Sequence, residues 1–215
     1  MKRVFLIVLT FLMFYNITGQ NNKAKLDTIS KYDYWNYGMT FSVQVGVWIP
    51  LGNLKKTFNL NPSIGFKIGV PIAKNLRIEG GTIINVPLKS EVFEYFDKDK
   101  SFFTKSKNTV NGTLGVWLKH ENIFNEKYFL DKYFGIGVGF IQTDEKKINS
   151  KNENDQWYGV ESVNFNFGLE IRKIAFIKRS IGIFIEYNFT PYTIFKNVSN
   201  DFGNSSISTG LSYRF

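Results

Sequence analysis

The sequence predicts an all-β protein, an eight-stranded antiparallel up-and-down transmembrane β-barrel. Apolar and polar residues alternate along eight separate segments, as expected for strands with one apolar and one polar face. Most connections on one side are short and those on the other are long, which is typical of barrels that cross an outer membrane. The 215 residues contain no run of the roughly 18 apolar residues that a membrane-spanning helix needs.

The alternating segments follow one another along the chain. They span residues 35–49, 64–72, 76–86, 110–119, 134–140, 162–172, 181–190 and 206–215. In the last segment, Ile207, Leu211 and Phe215 lie on one face, and Ser208 and Ser212 lie on the other. An even number of strands returns the chain to the side it entered from, so both ends of the predicted barrel chain face the periplasm.

The connections differ in length on the two sides. Residues 73–75 and 173–180 form short turns on one side. The other side carries the long loops 50–62, 87–108, 144–156 and 191–204. The connector 120–132 departs from this pattern, since it is long although it lies on the side of the short turns. The prolines fall at predicted strand ends, where a missing ladder donor is tolerated: Pro50, Pro62, Pro71, Pro87 and Pro191.

The beginning of the chain predicts export. Lys2 and Arg3 precede an apolar run over residues 4–15, which has the length of a signal-peptide core and is too short for a membrane anchor. We expect cleavage before Gln20. The predicted division is a signal peptide at 1–19, a periplasmic segment at 20–37 and a barrel at 38–215, located in the cell outer membrane as a multi-pass protein.

Alternation alone leaves open which face is outside. A soluble lipocalin-like barrel also has eight strands, but it points its apolar face inward around a ligand. The Gly-rich and Ser-rich polar face favours the membrane arrangement, because the interior of a narrow barrel is crowded. Apolar stripes of about ten residues are long enough for tilted strands to cross a bilayer. Aromatic residues at the stripe ends predict an interfacial belt: Trp35, Tyr37, Tyr187, Phe189, Tyr213 and Phe215.

Charged residues on the polar face predict a network inside the barrel. Buried charges must pair to be tolerated, and eight strands leave an interior that side chains can fill. We therefore interpret this set as an ion-paired plug, with the gate of a narrow pore as the alternative. The set comprises Lys67, Arg77, Glu79, Lys119, Glu170, Arg172, Glu186 and Arg214.

The long loop after the third segment combines aromatic and basic residues. Such a mixture can form a binding surface for a glycan, a protein or a lipid phosphate. The alternative is that these aromatic side chains extend strands and anchor the chain at the membrane interface. The residues are Phe93, Tyr95, Phe96, Lys98, Lys100, Phe102, Phe103, Lys105 and Lys107.

The sequence indicates no catalytic, cofactor-binding or metal site. The chain has no cysteine, so thiolate chemistry is excluded, and His120 is its single histidine. His120 lies at the periplasmic end of the fourth segment, away from outer-leaflet lipid. Four aspartates in the predicted loops could bind cations, but their spacing matches no known site: Asp97, Asp99, Asp144 and Asp155. The formal charge is +9. An exported chain rarely meets nucleic acid, so lipopolysaccharide is the more plausible anionic partner, but solvated Lys-rich loops are the simpler interpretation.

The ending Tyr213-Arg214-Phe215, after alternating residues, resembles the closing strand of Gram-negative outer-membrane barrels. With the signal peptide and eight segments, the chain resembles the porin-like and PorT-like outer-membrane β-barrel superfamily. The resemblance implies recognition of the last strand by the barrel-assembly machinery. It also implies a non-enzymatic role in envelope structure, adhesion or binding through the extracellular loops. A narrow gated pore or a secretion-accessory barrel is the alternative, and a lipid A-modifying enzyme is a third hypothesis.

Overall fold

The structure is a computed structural model. It describes residues 38–73, 75–97, 102–125, 128–147, 156–176, 179–195, 198–199 and 202–215. The predicted signal peptide at 1–19 and the predicted periplasmic segment at 20–37 lie outside the described residues. The described part of the chain contains no helix long and apolar enough to cross a membrane.

Nine strands account for most of the described chain. They are β1 Thr40–Pro50, β2 Asn61–Ala73, β3 Leu76–Asn85, β4 Val92–Asp97, β5 Phe102–Asn125, β6 Tyr128–Lys147, β7 Gln156–Phe176, β8 Arg179–Phe189 and β9 Ser205–Arg214. A short helix α1, Leu54–Thr57, follows β1, and a 3₁₀ helix, Tyr192–Phe195, follows β8.

Eight of these strands close into a ring. The order is β3-β2-β1-β9-β8-β7-β6-β5, with β5 pairing back to β3, and every pairing is antiparallel. β4 stands outside the ring and pairs with the first six residues of β5. The predicted fold class is therefore confirmed, with β4 as an additional strand.

Two predicted connections are wrong. The predicted loop 87–108 contains β4 and the beginning of β5, which together form a hairpin above the ring. The predicted connector 120–132 is mostly strand, because β5 continues to Asn125 and β6 starts at Tyr128. This connection is therefore as short as its neighbours. Pro71 lies inside β2, at an irregularity in its register with β3.

The apolar faces of the ring strands point outward. In β8, Ile183 is 65% exposed, whereas the neighbouring Phe184 and Glu186 are 3% and 1% exposed. The same alternation runs along the other strands, with exposed aliphatic residues outside and buried polar residues inside. This is the predicted membrane arrangement and the reverse of a lipocalin-like barrel, because only a lipid environment favours an apolar exterior around a polar interior.

The ring has two distinct ends. We call the end with the connections 73–76, 125–128 and 176–179 the short-turn end, and the opposite end, with the long connections, the loop end. The beginning of β1 and Phe215 lie together at the short-turn end, since Phe41 and Phe215 exchange two backbone hydrogen bonds of 2.9 Å.

Candidate functional site

The lumen contains ten buried charged side chains, of which eight lie near the short-turn end and two, Lys67 and Glu186, lie nearer the middle. All eight residues that the sequence places on the inward face are buried. Two carboxylates from the former connector join them, Glu121 and Asp131, at 2% and 0% exposure. The cations are Lys67, Arg77, Lys119, Arg172 and Arg214, and the carboxylates are Glu79, Glu121, Asp131, Glu170 and Glu186. Five positive and five negative side chains therefore offset one another.

Glu121 is the carboxylate with the most arginine contacts in this set. Its Oε1 accepts a hydrogen bond of 3.0 Å from Arg172 Nη2 and lies 3.4 Å from Arg77 Nε. Arg214 Nη1 donates to the same oxygen. The register of β5 places Glu121 two residues beyond Lys119 on the same inward face, so three strands bring their arginines to one carboxylate.

Lys119 occupies a second centre. Its Nζ lies 2.8 Å from Glu170 Oε2 and 3.1 Å from Glu79 Oε2. Glu79 also accepts a hydrogen bond of 2.9 Å from Arg214 Nη2, which links the two centres. Ser212 donates its hydroxyl to Glu170. These contacts satisfy charges that would otherwise be costly to bury.

Lys67 is held mainly by aromatic rings. Its Nζ lies 4.1 Å from the centre of the Trp117 ring, 5.2 Å from that of Tyr133, and 3.7 Å from Glu186 Oε2. Cation–π attraction is strongest where water is excluded, and Trp117 is fully buried. Trp117 and Tyr133 therefore place bulky side chains across the middle of the lumen.

Glycines make room for these rings. A Cβ atom at Gly168 would overlap the Tyr133 ring, and a Cβ at Gly135 would overlap Trp117. Each glycine stands directly opposite the aromatic residue on the neighbouring strand. Each ring therefore lies over the glycine opposite it, on the inner face of the barrel wall.

Amides and hydroxyls form the next layer toward the loop end. Asn85 donates to Asn111 at 2.7 Å, and Asn188 donates to Ser208 at 3.1 Å. A cavity of about 10 Å³ lies within this layer. Such a volume holds roughly one water molecule, and the polar lining supplies hydrogen-bond partners for it.

A hydrophobic cluster covers the lumen at the loop end, and we call it the apolar cap. Phe58 lies at its centre, with ring centroids 5.9 Å from Trp48 and 5.6 Å from Phe202. Residues from α1, the β4 hairpin and the loop after β8 all contribute, so separate connections meet over the ring. The members are Trp48, Leu54, Phe58, Phe93, Tyr95, Ile141, Val160, Tyr192, Val198 and Phe202.

A buried carboxylate ties the β4 hairpin to the ring. Glu91 accepts hydrogen bonds from the Asn59 backbone N–H at 2.7 Å and the Asn61 side chain at 3.0 Å. Asn108 donates its side-chain amide at 2.8 Å. These donors come from the chain before β2, from β2 and from β5, so Glu91 links all three to the segment that precedes β4.

In the structure, some residues of the predicted loop binding surface are buried and others are exposed. Phe93 and Tyr95 are each 3% exposed in the apolar cap, so most of each side chain packs inside the protein. Lys105 is exposed and forms an ion pair of 3.5 Å with Glu94. Lys107 is exposed and Phe96 is half-buried. Lys98 and Lys100, and the side chains of Phe102 and Phe103, lie outside the described parts.

An open cleft of about 490 Å³ lies beside the cap. Lys56 from α1 and Lys105 from β5 line it together with the carboxylate of Glu94, and Phe93 and Phe202 contribute apolar lining. Its volume is within the range of small-ligand sites. The cleft therefore combines basic, acidic and aromatic groups at the loop end.

The aromatic residues expected at the membrane interface occupy both ends of the ring. Tyr187 is exposed near the loop end, where its hydroxyl lies 2.8 Å from Ser205 Oγ, and Phe189 is half-buried beside it. At the short-turn end, the Phe215 ring centroid lies 5.8 Å from that of Tyr213 and 6.0 Å from that of Phe41. Trp35 and Tyr37 lie outside the described residues.

Groups that could carry chemistry lie apart. His120 lies at the short-turn end, opposite Leu76 on β3 and Lys132 on β6. Asp144, above the ring, accepts hydrogen bonds from the Lys107 backbone N–H at 3.0 Å and the Ser106 hydroxyl at 2.7 Å. These bonds stabilise the carboxylate and lower the pKa of Asp144. Among the described residues, no group of three or more His, Asp or Glu side chains is arranged to hold a metal ion.

Comparisons with known proteins agree with the architecture. No protein-family model and no curated protein sequence matches the chain. Among solved structures, the chain is similar to Neisserial surface protein A, with a TM-score of 0.59 and 10% sequence identity over 82% of this chain and 96% of that chain. This likeness and the closed ring show that the chain has the fold of small eight-stranded outer-membrane β-barrels.

Two further structures match with lower scores. A major outer membrane protein from Thermus thermophilus has a TM-score of 0.44 and 12% identity, over 82% of this chain and 98% of that chain. Ail, the attachment invasion locus protein of Yersinia pestis, has a TM-score of 0.43 and 13% identity, over 83% of this chain and 99% of that chain. These two scores are too low to establish a shared fold on their own.

Proposed function

We propose that the protein is an integral outer-membrane barrel with a lumen plugged by its own side chains, and that it acts as a structural, adhesion or binding component through its loop end. The short-turn end faces the periplasm and the loop end faces the outside, as in barrels with short periplasmic turns. The last strand serves recognition by the barrel-assembly machinery. Outer-membrane lipid and lipopolysaccharide surround the apolar exterior.

One observation carries this proposal: the lumen contains five buried cations and five buried carboxylates between the short-turn end and its middle, and an apolar cap lies at the loop end. A conducting path would require several of these pairs to separate and the cap to open. Breaking a buried ion pair is strongly destabilising because it leaves a charge without its partner. The loop end therefore offers the surface on which a partner can act.

The loop-end cleft supports a binding role. It lies outside the lumen, and its lysines and polar groups suit a protein or glycan partner at the extracellular surface. A lipid A-modifying activity has less support, because His120 lies at the short-turn end, across the proposed membrane from outer-leaflet lipid.

The proposal is tested by conductance in planar bilayers. The wild type is expected to show no steady conductance at physiological salt. A variant with a disrupted cap, Phe58→Ala with Phe202→Ala, is also expected to remain silent, because the charged layer stays in place. A steady open level in the wild type would refute the plug and favour the narrow pore. Conductance that appears only in the cap variant would mean that the cap alone closes the barrel.

A further inference from the structure

The exterior of the short-turn end is basic. Among the described residues, the charged side chains that point outward there are Lys132, Lys173 and Arg179. The described carboxylates at the same end point into the lumen, where they pair with lumen cations: Glu79, Glu121, Asp131 and Glu170. The inner and outer surfaces of one wall therefore differ in charge, with a balanced interior and a positive exterior.

The sequence shows that this end accounts for much of the barrel's excess charge. Residues 38–215 contain 22 Lys and Arg against 16 Asp and Glu, an excess of six. The ten lumen charges cancel, so they contribute nothing to that excess. The three connections at the short-turn end add further lysines in the sequence: Lys74, Lys127 and Lys178, with Glu126 as the acidic residue among them.

Lys173 and Arg179 are neighbours on two adjacent strands. Lys173 on β7 pairs with Ile181 on β8, and Arg179 precedes Ile181 by two residues on the same outward face, beside a register shift between Ile174 and Phe176. Diagonal neighbours in an antiparallel pair lie about 7–8 Å apart. Two long basic side chains at such positions can approach the same ligand. Both are exposed, and neither forms an ion pair with a carboxylate of the described residues. Like charges so placed repel one another unless an external anion lies between them.

The surroundings of this pair match a lipid–water interface. The residues next along the strands, Ile171 and Ile181, are exposed and aliphatic. Tyr128 lies beside Lys173, whose Nζ is 5.8 Å from the centre of the tyrosine ring. Aromatic and basic residues together mark the depth at which headgroups begin.

We propose that Lys173 and Arg179 bind the phosphate headgroup of an anionic phospholipid in the leaflet around the short-turn end, with Lys132 two outward positions further along β6 from the level of Lys173. The inference rests on the proposed membrane placement. A phosphodiester supplies the negative charge that this surface lacks, and its two free oxygens can accept hydrogen bonds from the ammonium and guanidinium groups. The acyl chains then lie along the aliphatic faces of β7 and β8.

The experiment measures lipid preference around the folded chain. The protein is reconstituted in phosphatidylcholine vesicles that contain a trace of spin-labelled phosphatidylglycerol or spin-labelled phosphatidylcholine. The motionally restricted fraction of each labelled lipid gives the relative association of the anionic lipid. The double variant K173Q/R179Q is compared with K55Q/K89Q, which removes two exposed lysines at the loop end. A heat-dependent gel shift verifies that each variant is folded.

The wild type is expected to prefer phosphatidylglycerol several-fold, since one basic residue next to an anionic headgroup contributes about fivefold. K173Q/R179Q should bring the ratio of phosphatidylglycerol to phosphatidylcholine association close to one. K55Q/K89Q should leave this ratio at the wild-type value. Equal association of both lipids with the wild type, or equal loss in both variants, would overturn the inference. A chain that inserts into neither kind of vesicle and restricts neither lipid would instead refute the membrane placement on which the inference rests.

Discussion

Glu121 shows how much of the lumen depends on single residues. One of its oxygens contacts Arg77, Arg172 and Arg214, so three strands converge on it. Lumen glycines also matter individually. Gly168 has no Cβ, which leaves the space that the Tyr133 ring occupies. In a narrow barrel, one inward residue is in contact with several strands, and its replacement affects the wall as a whole.

Replacing Glu121 with Gln should destabilise the barrel by about 3–5 kcal/mol, because buried arginines would lose their negative partner. The free energy of unfolding, measured by urea titration in detergent, would show the change. Glu94→Gln is the matched control, since its ion pair with Lys105 is exposed at the loop end and should contribute about 1 kcal/mol or less. Similar losses in the two variants would contradict a dry, ion-paired lumen.

Gly168→Ala should destabilise the barrel by about 1–3 kcal/mol, because the added methyl group overlaps the buried Tyr133 ring and forces it out of place. Gly80→Ala is the control, since a Cβ there meets no atom within 4 Å. The same urea titration compares the two. If Gly168→Ala is as well tolerated as Gly80→Ala, Tyr133 is not packed as described.

The sequence identified eight lumen charges but not Glu121 and Asp131. Their outward neighbours explain the omission. Beyond Leu118, the outward residues of β5 are His120 and Asn122, so the apolar half of the alternation disappears although the strand continues. Interfacial residues face polar headgroups and need not be apolar. Alternation therefore marks the hydrocarbon span of a strand and not its full length.

At the scale of elements, the strands within the membrane followed from the sequence and the loop end did not. The apolar cap combines residues from distant connections whose local patterns carry no common periodicity. β4 and the beginning of β5 alternate, but with aromatic and charged residues that also suit an exposed loop. Burial of Phe93 and Tyr95 depends on α1 and the loop after β8, which no local pattern brings together.

Phe58→Ala should loosen the apolar cap while the ring remains closed. Removing a ring that is 2% exposed leaves a cavity, at a cost of about 3–5 kcal/mol to the packing around it. Limited proteolysis should then cut the β4 hairpin faster, with the heat-dependent gel shift unchanged. Leu60→Ala removes an exposed side chain nearby and should not change the cleavage rate. If Phe58→Ala is cleaved at the wild-type rate, other contacts hold the hairpin in place. The hydrogen bonds of Glu91 would be the first of these to test.

At the scale of the whole molecule, the exterior, the lumen and the loop end differ in polarity. Apolar residues face outward around the ring, buried charges of both signs point into the lumen, and an apolar cluster lies at the loop end. Exterior cations collect at the short-turn end. This arrangement is favourable where lipid surrounds the ring, because the exposed aliphatic exterior would be costly to leave in water.

Cysteine accessibility along β8 and β9 tests this account most directly, since the natural chain has no cysteine. Single cysteines are placed outward at Ile183 and Ile185 and inward at Phe184 and Ser208. In the folded, membrane-inserted protein, the outward pair should react with a small lipid-soluble maleimide and not with a charged methanethiosulfonate. The inward pair should react with neither until the protein is unfolded. Reaction of the inward pair with the charged reagent would reveal a water-filled lumen, and reaction of the outward pair with it would contradict the membrane-facing exterior.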